Sequence, residues 1–307
     1  MIEERSWFDW IVYALMVIVL GAMALLCIAP FVHIIARSFS RAGAVETNLV
    51  SFWPIGFHTG NYEYIIGDYA FVRAFGISLV RAVVGVSLTV FLCIVTAYPL
   101  SLDYVRLPGL GIYRALGVFY LVFFPPLIPL FISFKNLGLI NSFWVLVLPS
   151  ALSMFLTILV LNYFRGLPKE LAEAARLDGA DHFNILFRIN VPLATPSIAT
   201  VALFSAFYHW NSWFDGVVFL SDRSKWPLQS FLYAMVTAQE LAQRMVGEVS
   251  YAGGSGEMSA AMRRLAEVNP KALGAAMIVV GALPIMIVYP FLQRYFVSGL
   301  TLGAIKQ

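Results

Sequence analysis

The feature that most constrains this chain is a repeated apolar run about as long as a bilayer is thick. The first run, Trp10 to Ile35, contains almost nothing that water would solvate. As a helix it would cross the hydrocarbon core, which needs about 20 mostly apolar residues. Five more segments meet the same requirement, at about 74–100, 113–134, 143–161, 193–220 and 272–297. In hydrocarbon only helices and closed barrels satisfy their own backbone, and runs of this length are helical. The remaining composition agrees, with 60% apolar residues, 12% charged residues and a net charge of +3 spread thinly. A soluble domain is excluded, and no basic patch offers itself to nucleic acid. The expectation is an all-α integral membrane protein with six transmembrane helices in a single domain over 1–307, with lipid around it. The first run is too long for a signal peptide and lacks a small-residue cleavage site, so it should remain as the first span.

Between these spans lies one polar island, Leu167 to Pro192, which carries more charge than any similar window before it. Pro168 suits a helix start, where its missing N–H costs nothing. Leu167, Leu171 and Ala174 recur at helical spacing as one apolar edge, while Lys169, Glu173 and Arg176 line another face and can pair. Gly179 then ends the helix, because glycine takes the left-handed conformation just past a last turn. Asp181 can cap a second short helix with Phe183, Leu186 and Phe187 on one side. Two short helices set at an angle, outside the bilayer, form a knob.

The spacing of that knob resembles the cytoplasmic "EAA" loop of the membrane subunits of ATP-binding-cassette importers: Glu-Ala-Ala, three residues, Gly, nine residues, Ile, one residue, Leu-Pro. Glu173, Ala174, Ala175, Gly179, Ile189, Val191 and Pro192 fall at those positions, with Val191 in place of leucine. A plain surface helix–turn–helix would explain the charges but not the Gly–Ile–Pro spacing. Two further stretches sharpen the match, Tyr208 to Asp215 in the fifth span and Tyr289 to Lys306 at the end. Together they resemble the MalG-type branch of carbohydrate permeases, and the closing segment resembles the sub-branch that imports oligosaccharides derived from polysaccharides, alginate uptake systems included.

The resemblance implies a type I importer permease fold in a bacterial inner membrane, with both termini cytoplasmic. It implies partners: a second, related permease subunit in a heterodimer, two ATP-binding-cassette ATPase subunits and a periplasmic or extracellular sugar-binding protein. Glu173, Ala174, Ala175, Asp178 and Gly179 would dock in an ATPase cleft, and a tail with Thr301, Gly303 and Lys306 would reach between the two ATPases. The segment 221–270 would face the binding protein, with Tyr251 to Gly256 as a flexible point and Met258 to Val268 as an amphipathic helix. No cofactor is expected on this chain, since ATP and magnesium would sit on the ATPases. That agrees with the lack of a Gly-x-x-x-x-Gly-Lys-Ser/Thr loop.

No catalytic set is present, and so no enzyme is expected. The histidines His33, His58, His182 and His209 are scattered, Cys27 and Cys93 lie alone in mid-span, and no metal spacing occurs. Polar residues inside spans are costly against lipid and should face a partner helix or an aqueous path. The candidates for a substrate path are Tyr208, His209, Trp210, Asn211 and Asp215 in span five, Asn162 after span four, and Arg81 in span two. The alternative for this cluster is packing between subunits. An acidic oligosaccharide would favour Arg81 or Lys135 near the path. Pro125, Pro126 and Pro129 must disturb span three. The positive-inside rule barely separates the two faces, so orientation rests on the resemblance. A different class, an ion-coupled secondary sugar carrier using Asp215 and Arg81, is the competing reading, weakened by the absence of an internal repeat.

Overall fold

The computed structural model describes residues 7–102, 109–123, 125–238 and 270–304, with side chains of the last helix described from 271 to 290. Among the described residues there are helices and turns and no strand. In order they are α1 (Trp7–Ser38), α2 (Ala42–Glu46), α3 (Gly60–Gly67), α4 (Tyr69–Ser101), α5 (Leu110–Val122) and α6 (Leu127–Asn136). Two 3-10 turns, Phe143–Leu146 and Leu148–Ser150, lead into α7 (Met154–Arg165), followed by α8 (Lys169–Leu177). The rest comprises α9 (His182–Leu193), α10 (Thr195–Asn211), α11 (Phe214–Phe219), α12 (Leu228–Ala238) and α13 (Pro270–Ala304).

The six expected spans divide into intact and broken ones. Three helices, Trp7–Ser38, Tyr69–Ser101 and Lys271–Pro290 within α13, are long and apolar enough to cross a membrane alone. Two bent pairs bring that number to five. The turns Phe143–Ser150 join α7 at 46°, and α9 joins α10 at 80°. The run 113–134 is not one helix. It splits into α5 and α6, of 13 and 10 residues, each too short to span. Pro125 and Pro126 explain the split, because neither offers an N–H and Pro126 pushes Pro125 out of helical conformation. The run 193–220 is also interrupted, at Ser212 and Trp213, where Ser212 takes extended backbone angles.

The chain divides into two compact units, one of Met1–Tyr69 with Ala234–Ala282, the other of Ala70–Tyr233 with Leu283–Gln307. In the first, α1 has a window of mean hydropathy 2.8 with none of it buried among the described residues. Its end is held by the loop that follows. Ser40 Oγ donates to Ala36 O at 2.7 Å and accepts from Ile55 N at 3.0 Å. Ser38 Oγ lies 2.7 Å from Tyr62 Oη, and Phe39 stacks on Phe57 and packs on Tyr62. The stretch 37–69, which contains α2 and α3, is thus pinned to the end of α1.

The second unit is organised on α4. Its buried residues Phe71, Ala74, Ser78, Arg81, Gly85, Thr89, Cys93 and Ala97 recur every three or four positions, one stripe along a helix. Small and polar side chains on that stripe let neighbouring backbones approach closely. A Cβ on Gly85 would overlap the His209 ring of α10. Further along, Cys93, Ile94, Ala97 and Tyr98 form a core with Leu156, Val160 and Phe164 of α7 and with Ile185 and Leu186 of α9.

Candidate functional site

The knob is built locally, much as its residues dictate. α8 begins immediately after Pro168 and ends in a hydrogen-bonded glycine cap. Gly179 N donates to Arg176 O and Ala180 N to Ala175 O, both at 2.9 Å, with Gly179 at φ +84°. This pair of bonds is the Schellman arrangement, which satisfies two of the carbonyls a helix end leaves free. No neighbour lies within 4 Å of where a Gly179 Cβ would stand. The glycine is therefore required by its backbone angle rather than by crowding. Asp181 caps the next helix as expected, its carboxylate accepting from Asn184 N at 2.9 Å. α9 is not a plain α-helix, however, for Ile185–Asn190 is wound as a π-helix.

The faces of the knob differ from the expected ones. Leu171 and Ala174 are exposed, while Ala172, Ala175 and Ala180 pack on the core shared with α4. Short alanine side chains let α8 lie close to that core, and the bulkier Leu171 and Leu177 are left outside, Leu177 at 91% exposure. Of the residues expected to dock, Glu173, Ala174, Asp178 and Gly179 form one exposed face and Ala175 turns inward. Arg176 also turns inward, toward the Tyr98 hydroxyl. Leu186 is buried, while Phe183 and Phe187 stack on each other at the surface.

Tyr98, which the sequence did not single out, holds the knob to α4. Its hydroxyl lies 2.9 Å from His182 Nδ1, the ring packs edge-on to the imidazole, and the residue is 6% exposed. Beside it, Arg165 Nη2 donates to Leu100 O at 3.3 Å, attaching the end of α7 to the end of α4. In the sequence Tyr98 is one polar side chain among several on its span, with Ser78, Arg81, Ser87, Thr89 and Thr96, and nothing local sets it apart.

The substrate-path candidates do not form one cluster. Arg81 is fully buried and paired with Asp215, its Nη1 donating to Asp215 Oδ1 at 3.3 Å and to Ser212 O at 3.0 Å. Asp215 Oδ1 also accepts from Ser212 Oγ at 2.8 Å and Gly216 N at 3.0 Å. Nearby, Ser230 Oγ donates to Trp213 O at 2.7 Å. At the break in span five Ser212 O is thus taken by a side chain, while Trp213 O accepts from Ser230 and also from Val217 N of α11 at 3.3 Å. His209 is buried against Gly85, and Trp210 is buried against Phe75. Among the described residues, both His209 ring nitrogens, Thr89 Oγ1 and Ser205 Oγ have no hydrogen-bond partner. Tyr208 and Asn211 lie on the exposed side of α10, and Asn162 is exposed on α7. Trp213 is stacked on Tyr233, ring centroids 4.0 Å apart. Helical periodicity accounts for the separation: consecutive residues 208 to 211 occupy opposite faces of one helix. No group of three metal-binding side chains occurs among the described residues. Thr301 and Gly303 lie in the last turns of α13, where only the backbone is described, and Lys306 lies outside the described residues. The segments Tyr251 to Gly256 and Met258 to Val268 also fall outside them.

Comparison with known proteins places this arrangement. The model of the family described as "Binding-protein-dependent transport system inner membrane component" matches residues 110–302. The polygalacturonan/rhamnogalacturonan transport system permease protein YtcP of Bacillus subtilis is 33% identical over 299 residues, covering 97% of this chain and 98% of its own length. Among solved structures, a chain of a bacterial ABC transporter involved in the import of the acidic polysaccharide alginate superposes with a TM-score of 0.80 at 28% identity, covering 95% of this chain and 99% of that one. A second, from the bacterial alginate transporter in complex with alginate pentasaccharide-bound periplasmic protein, has a TM-score of 0.54 at 14% identity over 92% of this chain and 93% of its own, and shows the fold alone.

Proposed function

Because this chain belongs to the family of binding-protein-dependent transport system inner membrane components, we propose that it is the membrane-spanning permease subunit of an ATP-driven oligosaccharide importer. Two relatives named for polygalacturonan and alginate uptake support an acidic oligosaccharide as the substrate class. The observation that carries the reading is the two-sided build of α8. Its inner side, Ala172 and Ala175, is anchored on the core, and its outer side, Glu173, Ala174, Leu177 and Asp178, is exposed.

On this reading the outer side docks in a cleft of an ATPase subunit on the cytoplasmic face, where both termini also lie. ATP and magnesium sit on the two ATPases, and none on this chain. A related permease subunit completes the path, the tail with Thr301, Gly303 and Lys306 reaches between the ATPases, and a periplasmic binding protein delivers the sugar. ATP favours the closed ATPase pair. That preference shifts the bundle from inward-open toward outward-open, since a ligand moves an equilibrium by its differential affinity for the two states. The exposed Tyr208 and Asn211, with Trp213 beside the break, are the polar and flat groups that would meet a sugar. Arg81 is paired with Asp215 and acts on the fold rather than on the cargo. The same pairing removes the motive for an ion-coupled carrier, which would need those two charges to exchange partners with an ion.

The test is co-purification of the ATPase subunits with Glu173→Lys and with Gly179→Asp. Aspartate tolerates the left-handed conformation better than most residues, so Gly179→Asp disturbs the outer face more than the cap. Loss of the ATPases from both variants, with the chain still inserted, is the expected result. Retention in both overturns the docking assignment.

A further inference from the structure

The covalent route from the knob to the rest of the bundle runs through its sequence neighbours, α7 and α10. The contacts point elsewhere. α4 is held at one end by Tyr98, through His182 Nδ1 at 2.9 Å, and by Arg165 on Leu100 O at 3.3 Å. Toward its other end it is held by Arg81, on Ser212 O at 3.0 Å and on the Asp215 carboxylate. Ser78 Oγ also accepts from Leu228 N at 2.7 Å, at the start of the helix that supplies Ser230 to Trp213 O. Between these anchors, Gly85 lies against His209, and Thr157 Oγ1 donates to Cys93 Sγ at 3.5 Å. Roughly 25 Å of helix axis separates Arg81 from Tyr98 at 1.5 Å per residue.

Resting on the docking reading above, we propose that α4 is a tie rod. Tyr98 receives the movement of the knob, and Arg81 delivers it to the break at Ser212 and Trp213, setting the position of the exposed face of α10. Three features favour a rigid transmitter. α4 is continuous from Tyr69 to Ser101, whereas span five is broken and α9 is partly π-wound. The anchors at its two ends are directional hydrogen bonds, which fix position along the axis, while apolar packing permits sliding. At the Arg81 end the ion pair is buried, so its geometry cannot be exchanged for water without a large loss. Tyr98 and Arg81 are positioning residues, for they act through His182 and Asp215.

The experiment uses the whole transporter, assembled with its ATPases, partner permease and binding protein, with Cys27→Ser in this chain and buried Cys93 kept. Single cysteines replace Leu177 on the knob or Asn211 on α10, and the rate of maleimide labelling is compared with and without ATP and vanadate. In the parent, both positions should change by about threefold or more. With Tyr98→Phe or Arg81→Lys, position 177 should still respond, and position 211 should lose its response. If neither position responds in the parent, the docking reading falls and the tie rod falls with it. If 177 alone responds in the parent, or if 211 still responds in both variants, docking stands and the tie rod is wrong.

Discussion

The chain contains two breaks in its apolar runs, and they are made by different means. Between α5 and α6 the break is covalent. Pro125 and Pro126 bring no N–H, and Pro125, before Pro126, is barred from the helix. Between α10 and α11 there is no proline or glycine at Ser212 or Trp213. Nothing local forbids a helix there, and the freed Ser212 carbonyl is satisfied from a distance, by Arg81, while Trp213 O accepts from Val217 N of α11 and from Ser230 as well. A backbone group left unsatisfied in hydrocarbon costs several kcal/mol. The first break therefore survives any change around it, while the second exists only as long as its partners do. A break held by side chains on other helices is one that a rearrangement of those helices can move, and that suits the region carrying Tyr208, Asn211 and Trp213.

The contrast can be broken most directly at Arg81. Arg81→Leu leaves Asp215 half-buried and unpaired and costs about 3–5 kcal/mol. Reduced accumulation in membranes and a lowered melting temperature in detergent are expected, and an unchanged melting temperature would show that the pair does not hold the break. Ser230→Ala removes one of the two donors to Trp213 O, leaving Val217 N, and costs about 0.5–1.5 kcal/mol, read by the same melting curve. Replacing Pro125 and Pro126 by alanine should change stability by about 1 kcal/mol or less. Slower amide exchange is expected over 123–127 as the helix becomes able to continue. A loss as large as that of Arg81→Leu would erase the distinction between the two breaks.

The smallest effect lies at Asp222, just past span five, where the Ser224 hydroxyl and backbone N–H, at 2.9 Å for the latter, hold its carboxyl below the usual carboxylate range. A group whose folded pKa is depressed stabilises the fold above its unfolded pKa and loses that contribution as pH falls through the folded value. The parent should therefore lose slightly more stability than Asp222→Asn between neutral and strongly acidic pH. Equal losses would show that the Ser224 contact contributes nothing.

The same division governs what the sequence revealed. Features with local causes were legible: the spans at Trp7–Ser38 and Tyr69–Ser101, the glycine cap at Gly179, the Asp181 cap and the proline break. Features made by distant partners were not. The polar run Tyr208 to Asp215 reads as one cluster, yet helical rotation and the reach of Arg81 divide it into a buried part with His209 and Trp210 and an exposed part with Tyr208 and Asn211. The apolar edge of α8 was misassigned for a related reason. The face that turns inward is chosen by how closely alanine lets two helices approach, and hydrophobicity alone favours Leu171. Tyr98 was missed because its importance lies in His182, far along the chain.

The central claim is that the outer face of α8 is presented to the cytoplasm, where an ATPase can grip it. The direct measurement places a single cysteine at Leu177, which is 91% exposed, in a chain with Cys27→Ser, and treats cells and inverted membrane vesicles with a membrane-impermeant maleimide. The account predicts labelling in inverted vesicles without ATPases bound, protection when they are bound, and none from outside intact spheroplasts. Labelling of Leu177→Cys from the outside would put the knob beyond the reach of any ATPase and contradict the account.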